Sequence, residues 1–251
     1  MKQLKKDQHG TTSPRKTCVA VLLLLILMAM SLSACSSSSK DTDNASGSAV
    51  ELDTEANYVK TYLDALCKQD YEPYAKAYDA PLDEVKEDVP EYIKGIIESE
   101  FTYIPSDTMI TTFAETLQKL FAKCRYTVSP SVQKEDGSYS IPVSIEKFSV
   151  FKTSLEKAEK DYDAWKKQQS DDMDADAMTD KYFEFITKYC EEEIKNPKYE
   201  DAATITVTLS ISEEDENVYE YGDEDINNLL YGLIDLSAWD ELVDENEEEA
   251  E

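Results

Sequence analysis

Three cysteines, Cys67, Cys124 and Cys190, lie in the body of the chain, and what each thiol can do depends on its neighbours. Their spacing matches no metal-ligand pattern, and three thiols cannot all pair within one chain. Each falls on an apolar stripe of helical period, so all three read as small buried core residues, with one disulfide and a free thiol as the alternative. Ser154-Leu155-Glu156-Lys157 puts a serine and a lysine one helical turn apart, as an amine-assisted nucleophile requires. The S-D-N and K-T-G elements that complete such a site are missing, and Thr153-Ser154-Leu155-Glu156 fits a capping box at a helix start. Asp172, Asp174 and Asp176 alternate like the first carboxylates of a calcium loop. The pattern then fails, because Ala177 stands where glycine makes the turn and Phe183 holds the place of the bidentate glutamate, with Glu184 one residue late. The three aspartates are weak metal candidates, and a polar loop between two helices is their ordinary explanation.

Absences narrow the chemistry further. His9 is the sole histidine and precedes Cys35, so the rest of the chain has no base for Ser-His-Asp or Cys-His catalysis and no imidazole for a metal. Arg125 is the single guanidinium after residue 34, and no glycine-rich phosphate loop appears. Acidic residues after residue 34 number 53, which makes every carboxylate spacing available and no pair diagnostic of glycoside hydrolysis. The formal charge is −29, and because residues 1–34 hold five cations against one Asp, the remainder stands near −33. Such a field repels nucleic acid and anionic headgroups, so no nucleic-acid partner is expected. No cofactor is expected either.

The N-terminus carries the clearest chemical pattern. Lys2, Lys5, Lys6, Arg15 and Lys16 form a basic head, and Val19 to Met30 is an unbroken apolar run, short for a membrane span. Leu32-Ser33-Ala34-Cys35 follows and resembles the lipobox of bacterial lipoproteins, with all four positions in order. The resemblance implies that the Cys35 thiol receives a diacylglycerol and that the chain is cut just before it. Residues 1–34 are then a lipoprotein signal peptide, and Ser-rich residues 35–50 a flexible tether. The alternative is an uncleaved anchor helix from Cys18 through Ala34. Either way the expected partner is membrane lipid, and the expected location is the extracytoplasmic face of the cell membrane. Two acyl chains at about 0.8 kcal/mol per buried methylene hold a protein stably.

Beyond the tether, periodicity lays out the elements. Tyr58, Val59, Tyr62, Leu63, Leu66 and Cys67 make one helical stripe that Asp53 or Thr54 can cap. A short segment from Tyr71 to Tyr78 follows, and Pro90 is placed in the opening turn of a third helix carrying Ile93, Ile96 and Ile97. Ser106 or Asp107 starts a fourth, with Ile110, Phe113, Leu117 and Phe121 inward. Asp136-Gly137 signals a hairpin whose strands alternate through Val128 and Val132, then Ile141, Val143 and Ile145. Pro130 and Pro142 belong at sheet edges or bulges. Residues 153–196 read as a helical hairpin rich in aromatics, Thr204 to Ile211 as a strand with one wet face, and Asp223 to Leu236 as a closing helix. The expected fold class is α+β: N-terminal helices packed on a curved antiparallel sheet, with the helical hairpin inserted between strands. A single domain spans 51–240, and 241–251 form an acidic disordered tail.

This order, from the opening YVKTYLDALCKQDYEPY to the closing DINNLLYGLIDL, is similar to a family of Gram-positive lipoproteins grouped as a domain of unknown function. VYEYGDED stands where related chains carry a Trp-containing strand. The resemblance implies a cystatin-like or nuclear-transport-factor-like fold and no known activity. The expected function is a non-enzymatic envelope module that binds an unknown envelope protein or small ligand. Alternatives are an envelope enzyme using Asp or Glu alone, and a weak calcium-dependent adhesion or sensing module. Sixteen tyrosines are the one abundant group able to line a pocket, although packing between helices and sheet accounts for them as well.

Overall fold

The computed structural model describes residues 52–100, 104–170, 173–212 and 218–239. The chain divides into two units, Met1–Ala34 and Cys35–Glu251, and all described residues belong to the second. Helix α1 (Thr54–Lys68) begins where extended Asp53 turns its carboxylate onto the Ala56 N–H at 2.9 Å. The other oxygen of Asp53 accepts the Ser131 N–H at 2.8 Å, so one side chain caps the helix and ties it to a sheet loop. Helices α2 (Tyr71–Ala77), α3 (Leu82–Glu100) and α4 (Asp107–Phe121) follow. The Ser106 hydroxyl caps α4 by accepting the Met109 N–H.

Pro90 lies inside α3 rather than at its start. Its missing N–H orphans the carbonyl of Lys86, an exposed residue, where water can take the donor's place. The helix meanwhile keeps Val85, Ile93, Ile96 and Ile97 buried along one side. Burial on both flanks of the proline thus outweighs the single lost bond.

The sheet is antiparallel throughout. Strands β1 (Arg125–Val128) and β2 (Val132–Gln133) both pair with β3 (Tyr139–Glu146), which pairs with β4 (Ala203–Ile211), which pairs with β5 (Tyr219–Tyr221). The sheet neighbours β3 and β4 are separated in sequence by the hairpin of α5 (Phe151–Lys166) and α6 (Ala175–Lys195). Ile141, Val143 and Ile145 of β3 and Val207 and Leu209 of β4 are all buried on the helix-facing side. Ile211, expected on that same face, is 48% exposed at the strand's end.

Pro142 sits within the central strand, opposite Thr206, and not at an edge. Its carbonyl accepts the Ser129 N–H at 2.9 Å, so its hydrogen-bonding side faces the break between β1 and β2. The absent N–H therefore removes no rung of the β3–β4 ladder. Gly137, with φ +88°, makes the hairpin turn between β2 and β3.

Helix α7 (Asp225–Leu233) closes the fold on the same face. A Cβ on Gly232 would come within 2.3 Å of Ile205 Cδ1, so the glycine lets the helix approach β4. Beyond it, Asp235 caps α5 from a distance. Its Oδ1 accepts the N–H groups of Val150 and Phe151, each at 2.8 Å, and Oδ2 accepts that of Lys152 at 3.1 Å. This replaces the capping box expected at Thr153 to Glu156. The helix begins two residues earlier, and Ser154 is inside its first turn and fully buried. Phe113, Phe121, Phe148, Phe151 and Phe183 form the largest fully buried rings.

Candidate functional site

The lipobox residues Leu32, Ser33, Ala34 and Cys35 lie outside the described residues, as does Asp172. Asp174 and Asp176 are exposed at the opening of α6. Among the described residues no group of three or more His, Cys, Asp or Glu side chains could hold a metal ion. The S-x-x-K pair does not assemble a nucleophile and base. Ser154 turns into the core beside the Cys190 thiol with no oxygen or nitrogen partner, and Lys157 points away to Glu193 at 2.8 Å. None of the described helices is long and apolar enough to cross a membrane.

The tyrosines do converge. Tyr58 and Tyr62 from α1, Tyr74 from α2, Tyr78 just beyond it and Tyr219 and Tyr221 from β5 form one ring cluster. Tyr78 stacks on Tyr58 at 3.9 Å and on Tyr74 at 4.1 Å, and the Tyr219 ring meets Tyr58 edge-on at 5.3 Å. Five of the six hydroxyls hydrogen-bond within the protein, that of Tyr62 to Tyr92. Tyr78 and Tyr221 share a hydrogen bond of 2.6 Å, Tyr58 donates to the Tyr219 carbonyl, and Tyr219 donates to Glu55 at 2.8 Å. Burial pushes the phenols of Tyr58, Tyr62, Tyr74, Tyr78 and Tyr221 well up. Burial, helped by Glu55, raises Tyr219 to about 12. The cluster is therefore neutral at any physiological pH. It joins the N-terminal helices to the sheet edge, and each aromatic pair contributes about 0.5–1.5 kcal/mol beyond its buried area.

A second centre is one that reading the periodicity alone passes over. Asp64 lies on the inward side of α1, 5% exposed. It accepts hydrogen bonds from Lys60, from Lys68 at 2.6 Å and from the Tyr126 hydroxyl at 2.5 Å. Lysines at i−4 and i+4 around an aspartate on an apolar stripe were the signal for it. Burial pushes this carboxyl up, but the three donors together outweigh burial and hold it below the usual carboxylate range. A depressed folded pKa means stabilisation that is complete above the unfolded value and is lost as pH falls through the folded one. Asp64→Asn is accordingly expected to flatten the loss of stability below about pH 4, measured by urea unfolding between pH 2 and 6 against the parent chain. Identical slopes for both proteins would contradict this assignment.

Asp53, Asp136 and Asp161 also move down, through hydrogen bonds and, for Asp161, through Tyr189 and Lys188. These carboxylates are held as anions, the opposite of what a general acid needs.

With this geometry in view, one solved structure bears on the chain. The crystal structure of a candidate lipoprotein (ycdA) from Bacillus subtilis matches it with a TM-score of 0.52 at 16% sequence identity. The likeness is one of fold. It covers 73% of this chain and 56% of that one, so this chain accounts for little more than half of the ycdA protein. No family model and no curated protein matches the sequence.

Proposed function

We propose that the chain is a lipid-anchored lipoprotein of the Gram-positive envelope, held through acylated Cys35, whose α+β domain binds a partner without catalysing a reaction. Two lines support the anchor: Leu32-Ser33-Ala34-Cys35 closes a basic and apolar leader, and the domain behind it shares a fold with a candidate lipoprotein of Bacillus subtilis. The observation that carries the non-enzymatic reading is the commitment of reactive side chains to structure. Ser154 lies beside Cys190 in the core, the Tyr78 and Tyr221 hydroxyls bond to each other, and Asp64 and Asp235 satisfy lysines or backbone N–H groups.

The half-exposed aromatic side of the α5–α6 hairpin is the contact surface this reading favours. Tyr162 lies 5.7 Å from Trp165 and 5.2 Å from Tyr182, and Lys181 stands over Phe185 at 5.3 Å. Aromatic side chains of this kind present large rigid contact area at low entropic cost. The test is a turnover screen of the purified protein on envelope polymers. No turnover is expected; a hydrolase activity abolished by replacing one carboxylate pair would refute the proposal.

A further inference from the structure

The α4–β1 junction lies against the end of α1, and it places Cys124, expected on a helical stripe, outside any helix. Cys67 lies in the last turn of α1 and is 2% exposed. Cys124 is not helical; it occupies the turn leading into β1, where its Sγ is 3.7 Å from the Leu120 carbonyl oxygen and 3.6 Å from that of Leu233. The neighbouring Cys67 thiol and burial push the Cys124 thiol well up.

Their approach is fixed by the neighbouring contact. Asp64 and Cys67, three apart, share a face of α1, and Cys124 precedes Tyr126 of β1 by two residues. The Tyr126 hydroxyl on Asp64, with Lys68 4.8 Å from the Tyr126 ring centroid, therefore clamps the two cysteine-bearing segments face to face. Cys190, by contrast, lies against Ser154.

We propose that Cys67 and Cys124 are a disulfide site, closed by thiol–disulfide exchange with a disulfide oxidant outside the membrane. One cysteine thiolate attacks the oxidant's disulfide and forms a mixed disulfide, releasing one oxidant thiol. The second cysteine then attacks the first cysteine's sulfur, the Cys67–Cys124 bond forms, and the other oxidant sulfur leaves. The two protons and two electrons lost by the cysteines end on the oxidant, now a dithiol or two thiols. The bond pins the end of α1 to the start of β1 and joins residues distant in sequence, the case in which a cross-link most restricts the unfolded chain.

The inference rests on the export reading only for the natural oxidant. The pairing itself is tested on full-length protein purified under reducing conditions and then equilibrated with glutathione disulfide. After alkylation under denaturing conditions and trypsin digestion, the expected product is the segment 61–68 joined to Cys124-Arg125, with Cys190 alkylated. Recovery of Cys67 and Cys124 both alkylated, both carrying glutathione, or either one joined to Cys190 would overturn the proposal. None of these outcomes depends on whether Cys35 is acylated.

Discussion

Asp235→Ala is expected to destabilise the domain by about 3–4 kcal/mol, the largest loss from any single polar substitution considered. The carboxylate meets three successive backbone N–H groups at the start of α5, two of them in fully buried residues. Alanine leaves those donors in an apolar setting without a partner. A single orphaned donor there costs about 1–3 kcal/mol, and the negative charge at the helix N-terminus is lost as well. Asp235→Asn keeps one acceptor oxygen, so about half of the loss is expected with it. Urea unfolding of the two variants checks both values. An alanine variant within about 1 kcal/mol of the parent would mean that α5 does not depend on this cap.

Cys35→Ala is expected to move the protein from the membrane pellet to the soluble fraction or the culture medium. Each acyl chain contributes about 0.8 kcal/mol per buried methylene, and no described helix offers an alternative span. The chain beyond residue 34 is strongly acidic, and its field repels anionic headgroups. On the lipid-anchor reading, loss of the thiol removes the attachment rather than weakening it. Unchanged fractionation of the variant would instead favour an uncleaved anchor helix from Cys18 through Ala34.

The α+β architecture could be read from the sequence because its periodicities are clean. The stripe from Tyr58 to Cys67, the Asp136-Gly137 turn and the alternation from Thr204 to Leu209 each specify one element and one buried face. Errors came where tertiary contacts overrule local rules. Pro90 is carried inside α3 because Val85 on one side and Ile93 on the other are both buried. Pro142 is tolerated in a central strand because its hydrogen-bonding side meets the gap between β1 and β2. Thr153 to Glu156 has the composition of a cap, yet Asp235, more than 80 residues later, does the capping. No local pattern could reveal that.

Side-chain convergence was less legible still. Tyrosine abundance pointed to the ring cluster, but only the meeting of α1, α2 and β5 selects Tyr58, Tyr62, Tyr74, Tyr78, Tyr219 and Tyr221 from the sixteen. Asp64 was hidden among 53 carboxylates, although its flanking lysines distinguish it in retrospect. The nearness of Cys67 and Cys124 depends on how the end of α1 packs beside the start of β1, which no spacing along the chain encodes.

The central claim, a binding domain held outside the membrane by a lipid on Cys35, is tested most directly by the mass of the N-terminal peptide of the protein isolated from membranes. The predicted result is a peptide that begins at Cys35 and carries a diacylglyceryl group. A peptide that begins upstream of Cys35, with its thiol unmodified, would contradict the account.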